Sequence, residues 1–263
     1  MDTNTLFPQY ANTIRNLDIN AIRDIQSIPQ SLLLAQDGKI SVHYVPFDYV
    51  NSKAKIVLVG ITPGFTQLIN AMREAQKQLR SGADQETALL AAKQTGAFSG
   101  KMRPNLVAML DYLGMNEWLG IQSCNALFDH ASGLVQTTSV LRHSVFVDGD
   151  NYNGTPNMTK HPLLRRMLLE HFAKEAAQLK NAIFVPLGSK VSEALAWMTA
   201  EGAIDGSRVL DGMPHPSGAN AERIAYFLGR KARNQLSTKT DADKLDKAAA
   251  GLIEKMAAIG KAA

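Results

Sequence analysis

Apolar positions in this chain fall into two patterns, short unbroken runs and helical spacings, and they alternate along its length. Residues 1–50 read as a helical lead-in packed on the core, because Ile19, Ile22, Ile25 and Ile28 recur every three residues, close to the helical period. An extended stretch follows at 42–50. The run Lys55 to Gly60 is apolar and ends in glycine, as expected of a parallel strand covered on both faces. Helices are predicted over 66–80, 85–94 and 104–113, the last opened by Pro104. A strand over 134–140, a helix over 163–179, a buried strand over 182–187 and a helix over 191–199 come next. Val209 and Leu210 make a short last strand, and a helix is predicted over 221–236. The stretches 95–101, 148–156 and 213–219 are rich in glycine, proline or short polar residues and read as loops. From Ser237 to Ala263 the chain turns to Ala, Lys and Asp, and Leu245, Leu252, Met256 and Ile259 leave a thin apolar stripe, so a helical tail is expected. The expected organisation is a lead-in (1–50), a main domain (51–236) and a tail (237–263). Strand alternating with helix implies α/β architecture, a parallel sheet with helices on both faces. In such a sheet the ligand site lies at the carboxyl ends of the strands.

Composition narrows the classes. With 45% hydrophobic and 20% charged residues, a sizeable core is available and wholesale disorder is excluded. A net charge of +4 is compatible with a phosphate-binding face without requiring one. The single cysteine, Cys124, rules out an internal disulfide and a cysteine-based zinc site, and fits a reducing compartment. The six histidines are scattered without ligand spacing, so no metal is expected. The N-terminus is polar and no apolar run is long enough for a membrane span. A soluble, cytoplasmic protein with no membrane partner is the expectation.

Three segments share one arrangement, a buried strand, a Gly/Pro turn and then a helix. They are Val57 to Gly64, Phe184 to Ser189, and Met213 to Asn220. In a parallel sheet their turns fall on one edge, where backbone N–H groups and small polar side chains suit a phosphate or a polar base. Gly60-Ile-Thr-Pro-Gly64 is not a Walker loop, because no Gly-Lys-Ser/Thr follows. His215 stands between Pro214 and Pro216, and prolines on both sides stiffen the loop that carries it.

In this order the segments resemble the uracil-DNA glycosylase superfamily. Gly60 to Gly64 resembles its first motif, His215-Pro-Ser-Gly-Ala-Asn220 its histidine-proline-serine loop, and Thr95 to Gly100 the segment with the base-stacking aromatic ring. Phe184 to Ser189 resembles the strand and turn between the motifs, and the likeness runs from about Lys55 to Gly229. It implies a three-layer α/β/α fold with a central, mostly parallel four-stranded sheet. It also implies a monofunctional glycosylase that flips a base out of DNA and hydrolyses its bond to the sugar. The expected partner is DNA, double- or single-stranded, with no cofactor, and the expected state is a monomer.

The resemblance assigns residues as follows. His215 hydrogen-bonds the departing base, and Thr62 occupies the position of the water-orienting residue. Gly60, Ile61, Phe98, Thr138 and Ser139 would line the base pocket, with Phe98 stacking on the base. Ser189, Lys190, Ser217, Gly218 and Ala219 would grip phosphate, with Arg223, Arg230, Lys231 and Arg233 adding a basic helix face. Three positions depart from the family pattern. Thr62 replaces an Asp or Asn, and a threonine is no base at neutral pH. Thr138 or Ser139 replaces the Asn that reads the pyrimidine edge, and Ala219 replaces a bulky wedge. Asp148 and Asp150 are alternative sources of a carboxylate, and with Tyr152 they offer groups for a base or sugar. Three readings follow. The first is a glycosylase for a larger modified pyrimidine, such as the glucosylated hydroxymethylcytosine of phage DNA, acting in antiviral defence. The second is uracil or mismatch repair, and the third a non-catalytic DNA-binding module.

Overall fold

The computed structural model describes residues 5–97 and 102–262. In chain order the elements are α1 (Phe7–Asn16), β1 (Leu33–Asp37), β2 (Ile40–His43), β3 (Ile56–Gly60), α2 (Phe65–Arg80), α3 (Gln85–Gly96), α4 (Met102–Tyr112) and α5 (Met115–Leu119). They continue with β4 (Val135–Ser139), β5 (Ser144–Val147), β6 (Asp150–Asn151), α6 (Pro162–Met167), α7 (Lys174–Gln178), β7 (Ile183–Pro186), α8 (Ser189–Ala200), α9 (Ala221–Phe227) and α10 (Ala242–Ala262). A π-helical segment, Leu168–Ala173, joins α6 to α7. The protein is mixed α/β. It divides into two compact units, each assembled from separated stretches. The first takes Met1–Val50, Gly60–Ala97 and Thr137–Gln178, and the second takes Asn51–Val59, Phe98–Gln136 and Leu179–Ala263.

The first unit contains an antiparallel sheet in the order β1-β2-β5-β6. The sequence pattern did not predict this sheet, because β5 is only four residues long and starts directly after the polar pair Arg142-His143. β5 and β6 form a hairpin in which Val147 pairs with Asp150, and the two turn residues Asp148 and Gly149 have φ of 54° and 82°. Positive φ at both central positions favours Asp-Gly. The expected lead-in helix is only partly helical. Ile19–Ala21 and Ile25–Ser27 are 3-10 turns, capped by the side chains of Asp18 and Asp24. A spacing of three fits the 3-10 repeat better than the 3.6 of an α-helix. Ile19, Ile22 and Ile28 drop into a core with Phe7, Ile14, Leu32, Tyr44, Leu68, Met72 and Phe146. Each fully buried aliphatic side chain there contributes about 1.5–3 kcal/mol. Helices α2 and α3 pack together, and Asp84 caps α3 by accepting from Thr87 N–H at 2.8 Å.

The parallel sheet has three strands in the order β4-β3-β7. In the second unit β3 and β7 run parallel, with Ile56 opposite Ile183 and Val59 opposite Pro186. Ile56 to Val59 and Ile183 to Pro186 are all buried, which explains why both strands read as unbroken apolar runs. Where a fourth strand was expected, one parallel bridge joins Phe184 to Val209, and Leu210 N–H donates to Phe184 O at 2.8 Å. The expected helix over 221–236 is much shorter, because α9 ends at Phe227 and Gly229 leaves it with φ 69°. The tail is helical, as its apolar stripe suggests, and Leu252 and Met256 on α10 are buried.

Candidate active site

In the second unit the chain leaves β7 through Leu187, whose N–H donates to Val59 O at 2.9 Å. It turns at Gly188, with φ 98° and ψ 157°, and enters α8 at Ser189. A Cβ on Gly188 would stand 3.2 Å from His215 Cδ2, so glycine is needed both for its backbone angle and for the imidazole's space. The His215 loop is fixed at successive points. Met213, Pro214 and Pro216 are buried, and Asn105 Nδ2 on α4 donates to Pro216 O at 2.9 Å. Ser217 N–H donates to His215 Nδ1 at 3.2 Å. Because Nδ1 accepts, the ring hydrogen sits on Nε2. Burial lowers the imidazole pKa below its ordinary 6.5, so the ring is neutral at pH 7. The loop therefore presents a neutral imidazole of one tautomer, with Nε2–H as its donor.

Beyond His215 the turn Gly218–Asn220 leaves Gly218 and Ala219 exposed. Ser217 Oγ accepts from Asn220 Nδ2 at 3.3 Å, and Arg223 donates to Asn220 Oδ1 at 2.8 Å. Ser189 is exposed, and Lys190 is paired with Glu193 at 3.1 Å. The expected basic helix face is not formed as such, since α9 ends before Arg230, Lys231 and Arg233. Lys231 pairs instead with Glu222 at 2.7 Å, and Arg233 with Asp243 at 2.6 Å.

In the first unit the turn after β3 is held by strand-like bonds. Val140 N–H donates to Gly60 O at 2.9 Å, and Leu141 N–H donates to Ile61 O at 3.0 Å. Thr62 is buried, and its hydroxyl works in both directions. It donates to His143 O at 2.8 Å and accepts from Val145 N–H at 3.1 Å, tying the turn to the start of β5. The first amides of α2 are also engaged. Gly64 N–H donates to Gln67 Oε1 at 2.9 Å, and Phe65 N–H donates to Asn151 Oδ1 at 2.8 Å. Asp148 pairs with Lys39 at 2.6 Å on the surface, Asp150 is an exposed strand residue, and the buried Tyr152 donates its hydroxyl to Pro156 O at 2.5 Å. Burial raises the Tyr152 phenol pKa well above its usual value. Thr138 is buried and Ser139 half-buried. Phe98 lies outside the described residues.

A buried polar cluster in this unit was not foreseen. Glu175, 0% exposed, accepts from Thr138 Oγ1 at 3.0 Å and from Arg142 at 2.9 and 3.2 Å, and Lys93 Nζ stands 3.8 Å from its other oxygen. Arg142 also donates to His171 O at 3.2 Å, in the π-helical segment. Asp48 accepts from Tyr44 Oη at 2.5 Å, and its pKa is raised, chiefly by burial. Burial lowers Lys93 to about 8, against the attraction of Glu175. Thr138, expected against a base, is thus occupied by a buried carboxylate. Among the described residues no group of three or more His, Cys, Asp or Glu is placed to hold a metal ion, and no helix is long and apolar enough to cross a membrane.

No family model and no solved structure matches the chain. Among curated proteins, the uncharacterized protein YoxB of Bacillus subtilis (strain 168) is 33% identical over 216 residues, covering 81% of this chain and 84% of that protein.

Proposed function

The chain belongs to the same family as YoxB of Bacillus subtilis, and from its own residues we propose that it is a monofunctional DNA N-glycosylase. The observation that carries this reading is the His215 loop, where Ser217 N–H fixes Nδ1 as acceptor between two prolines and leaves Nε2–H to donate. The C1′–N bond breaks, and the base departs with the electron pair. Its carbonyl oxygen, becoming anionic, accepts from His215 Nε2–H. Water adds to C1′ of the cationic sugar, and the proton that water loses ends on the free base. A preorganised donor of this kind contributes about 3 kcal/mol, on the order of a hundredfold in rate. A neutral imidazole suits the task, since it stabilises the anion without giving up its proton.

The proposed scaffold is the uracil-DNA glycosylase-like α/β/α sandwich, with Val209-Leu210 as its fourth strand. Within the second unit the proposed phosphate grip keeps Ser189, Lys190, Ser217, Gly218 and Ala219 beside His215. Thr62 is committed to the backbone of His143 and Val145, so catalysis relies on His215 and electrostatics rather than on a general base. The proposed substrate is a modified pyrimidine such as glucosylated hydroxymethylcytosine, with a role in antiviral defence. The absence of an Asn at the Thr138 position and of a wedge at Ala219 supports it. The Thr62 bonds also favour a second reading, a DNA-binding module without catalysis.

The test is incubation of the protein with single- and double-stranded DNA carrying uracil, hypoxanthine or glucosylated hydroxymethylcytosine, with abasic sites read by alkaline strand cleavage. Abasic sites at the glucosylated base are expected, and His215→Ala should lower the single-turnover rate on the order of a hundredfold. Cleavage of uracil DNA alone would make this a repair enzyme. DNA binding without any abasic sites would leave the non-catalytic module.

A further inference from the structure

The His215 loop has a neighbour that the proposed chemistry does not use, the C-terminal helix α10. Three contacts in the second unit connect them. Lys255 Nζ donates to Val209 O at 3.0 Å, closing the open edge of the segment bridged to β7. A Cβ on Gly212 would meet Ala248 Cβ at 3.0 Å and Leu252 Cδ1 at 3.8 Å, so the helix lies directly against the backbone there. Gly212 has φ 121°, a conformation that other residues rarely adopt. The far end of the loop is held by Asn105 at Pro216. His215 stands three residues beyond Gly212, a reach of at most about 10 Å along the chain.

The helix is itself anchored, which makes it a support rather than a passenger. Arg233 pairs with Asp243 at 2.6 Å and lies 3.7 Å from Asp246, and Tyr226 Oη donates to Asp246 at 2.9 Å. Leu252 and Met256 are buried one turn apart on the face that includes the Gly212 contact. The neighbouring side is solvated, with Ile253 46% exposed.

We propose that α10 is a positioning element for His215, with Ala248, Leu252 and Lys255 setting the path of residues 209–212 and so the placement of the imidazole. The proposal rests on the glycosylase reading for its effect on rate, but the placement of the ring is measurable without any substrate. A donor must stand within a fraction of an ångström of the developing oxyanion, and a displacement of about 1 Å costs on the order of a hundredfold. Burial of the ring, which depresses its pKa, depends on the same loop path.

The experiment uses the full chain with Ala248→Leu, which pushes on Gly212, and Lys255→Met, which releases Val209 O. Lys255→Arg serves as the conservative rescue and Ile253→Ala as the control on the solvated side. Two quantities are read. One is multiple-turnover base excision on the best substrate of the panel above, separated into kcat and KM. The other is the titration and Nδ1/Nε2 tautomer of His215, followed by imidazole ¹⁵N NMR. Ala248→Leu and Lys255→Met are expected to lower kcat about tenfold to a hundredfold with little change in KM. His215 should then titrate closer to 6.5 and lose its single tautomer. Lys255→Arg should restore both, and Ile253→Ala should leave both unchanged. Lys255 is exposed, so Lys255→Met remains informative even if Ala248→Leu fails to fold. Wild-type titration and tautomer in Lys255→Met would overturn the proposal. Wild-type protein inactive on every substrate would overturn the glycosylase reading instead, while the NMR result still decides the role of α10.

Discussion

The residues divide into those whose role is local and those whose role depends on distant partners. His215 is of the first kind. Its flanking prolines and the serine two residues on are contiguous, so the sequence pointed to a rigid loop, and the Ser217 N–H bond to Nδ1 is the physical form of that rigidity. Thr62 and Thr138 are of the second kind. Their neighbours in sequence suggested a base pocket, but their hydroxyls are committed to His143, Val145 and Glu175, each far away along the chain. Glu175 left one trace in the sequence. It falls with Leu164, Leu168 and Phe172 on the apolar face of its helical segment, and all four are buried. A carboxylate on such a face requires buried cations, here Arg142 and Lys93. Glu175→Gln leaves both cations under-compensated and is expected to cost about 3–5 kcal/mol, measured by urea unfolding. Thr62→Val leaves the buried Val145 N–H without its acceptor and should cost about 1–3 kcal/mol in the same measurement. If Thr62→Val is neutral, its hydroxyl is not the tie that the geometry describes.

Elements were most legible where the apolar pattern was long. Strands β3 and β7 and helices α2, α3 and α8 lie within a few residues of their expected bounds. The pattern failed where an element is short or ended by one residue. The hairpin β5-β6 has too few residues to show alternation, and α9 is cut by Gly229 within a stretch that otherwise reads as helix. Between α9 and α10 the chain keeps only one short 3-10 turn, Arg233–Gln235, and is held by Glu222. The Glu222 carboxylate accepts from Lys231 Nζ at 2.7 Å, Ser237 Oγ at 2.5 Å and Thr240 Oγ1 at 2.6 Å. These bonds, Lys231 first, hold its pKa down at about 2 against 4.5 when free. A lowered carboxylate pKa stabilises the fold above pH 4.5, and the contribution is lost as pH falls toward 2. Glu222→Gln is therefore expected to speed amide exchange in residues 229–240 at pH 7, and to remove the loss of protection expected of wild type below pH 4.5. Equal exchange in the two proteins at pH 7 would mean that the segment holds without the clamp.

At the scale of the molecule, the sequence was informative about class and silent about the setting of its histidines. Strand and helix alternation pointed to the parallel sheet, but nothing in the spacing of six histidines indicated that two of them are buried in one unit and a third, half-buried, packs against one of these. His43 and His143 are buried, and His143 packs edge-on against His171 with centroids 4.7 Å apart. Burial lowers His43 to about 4, and burial with the Arg142 cation lowers His143 to about 3. His171 is also lowered to about 3, by burial and then by His143. The unfolded chain takes up these protons near 6.5, whereas the folded chain resists them until far lower pH. Between those limits the unfolded state binds more protons, so stability is full above 6.5 and falls as pH drops toward the folded values. Each such histidine contributes about 1.4 kcal/mol per pH unit to the slope. Among the described residues His43 Nδ1 and His143 Nε2 are buried without a hydrogen-bond partner. Urea unfolding between pH 7 and pH 5 should therefore show a stability that falls by more than one proton's worth per unit. His143→Gln keeps a polar side chain opposite Val45 N–H, which donates to Nδ1 at 3.4 Å in wild type, and removes one titration. Its slope should be shallower by about 1.4 kcal/mol per unit, so the variant gains on wild type as pH falls from 7 to 5. A variant that follows the wild-type curve in parallel would show that His143 keeps its proton balance on unfolding, contrary to its buried position.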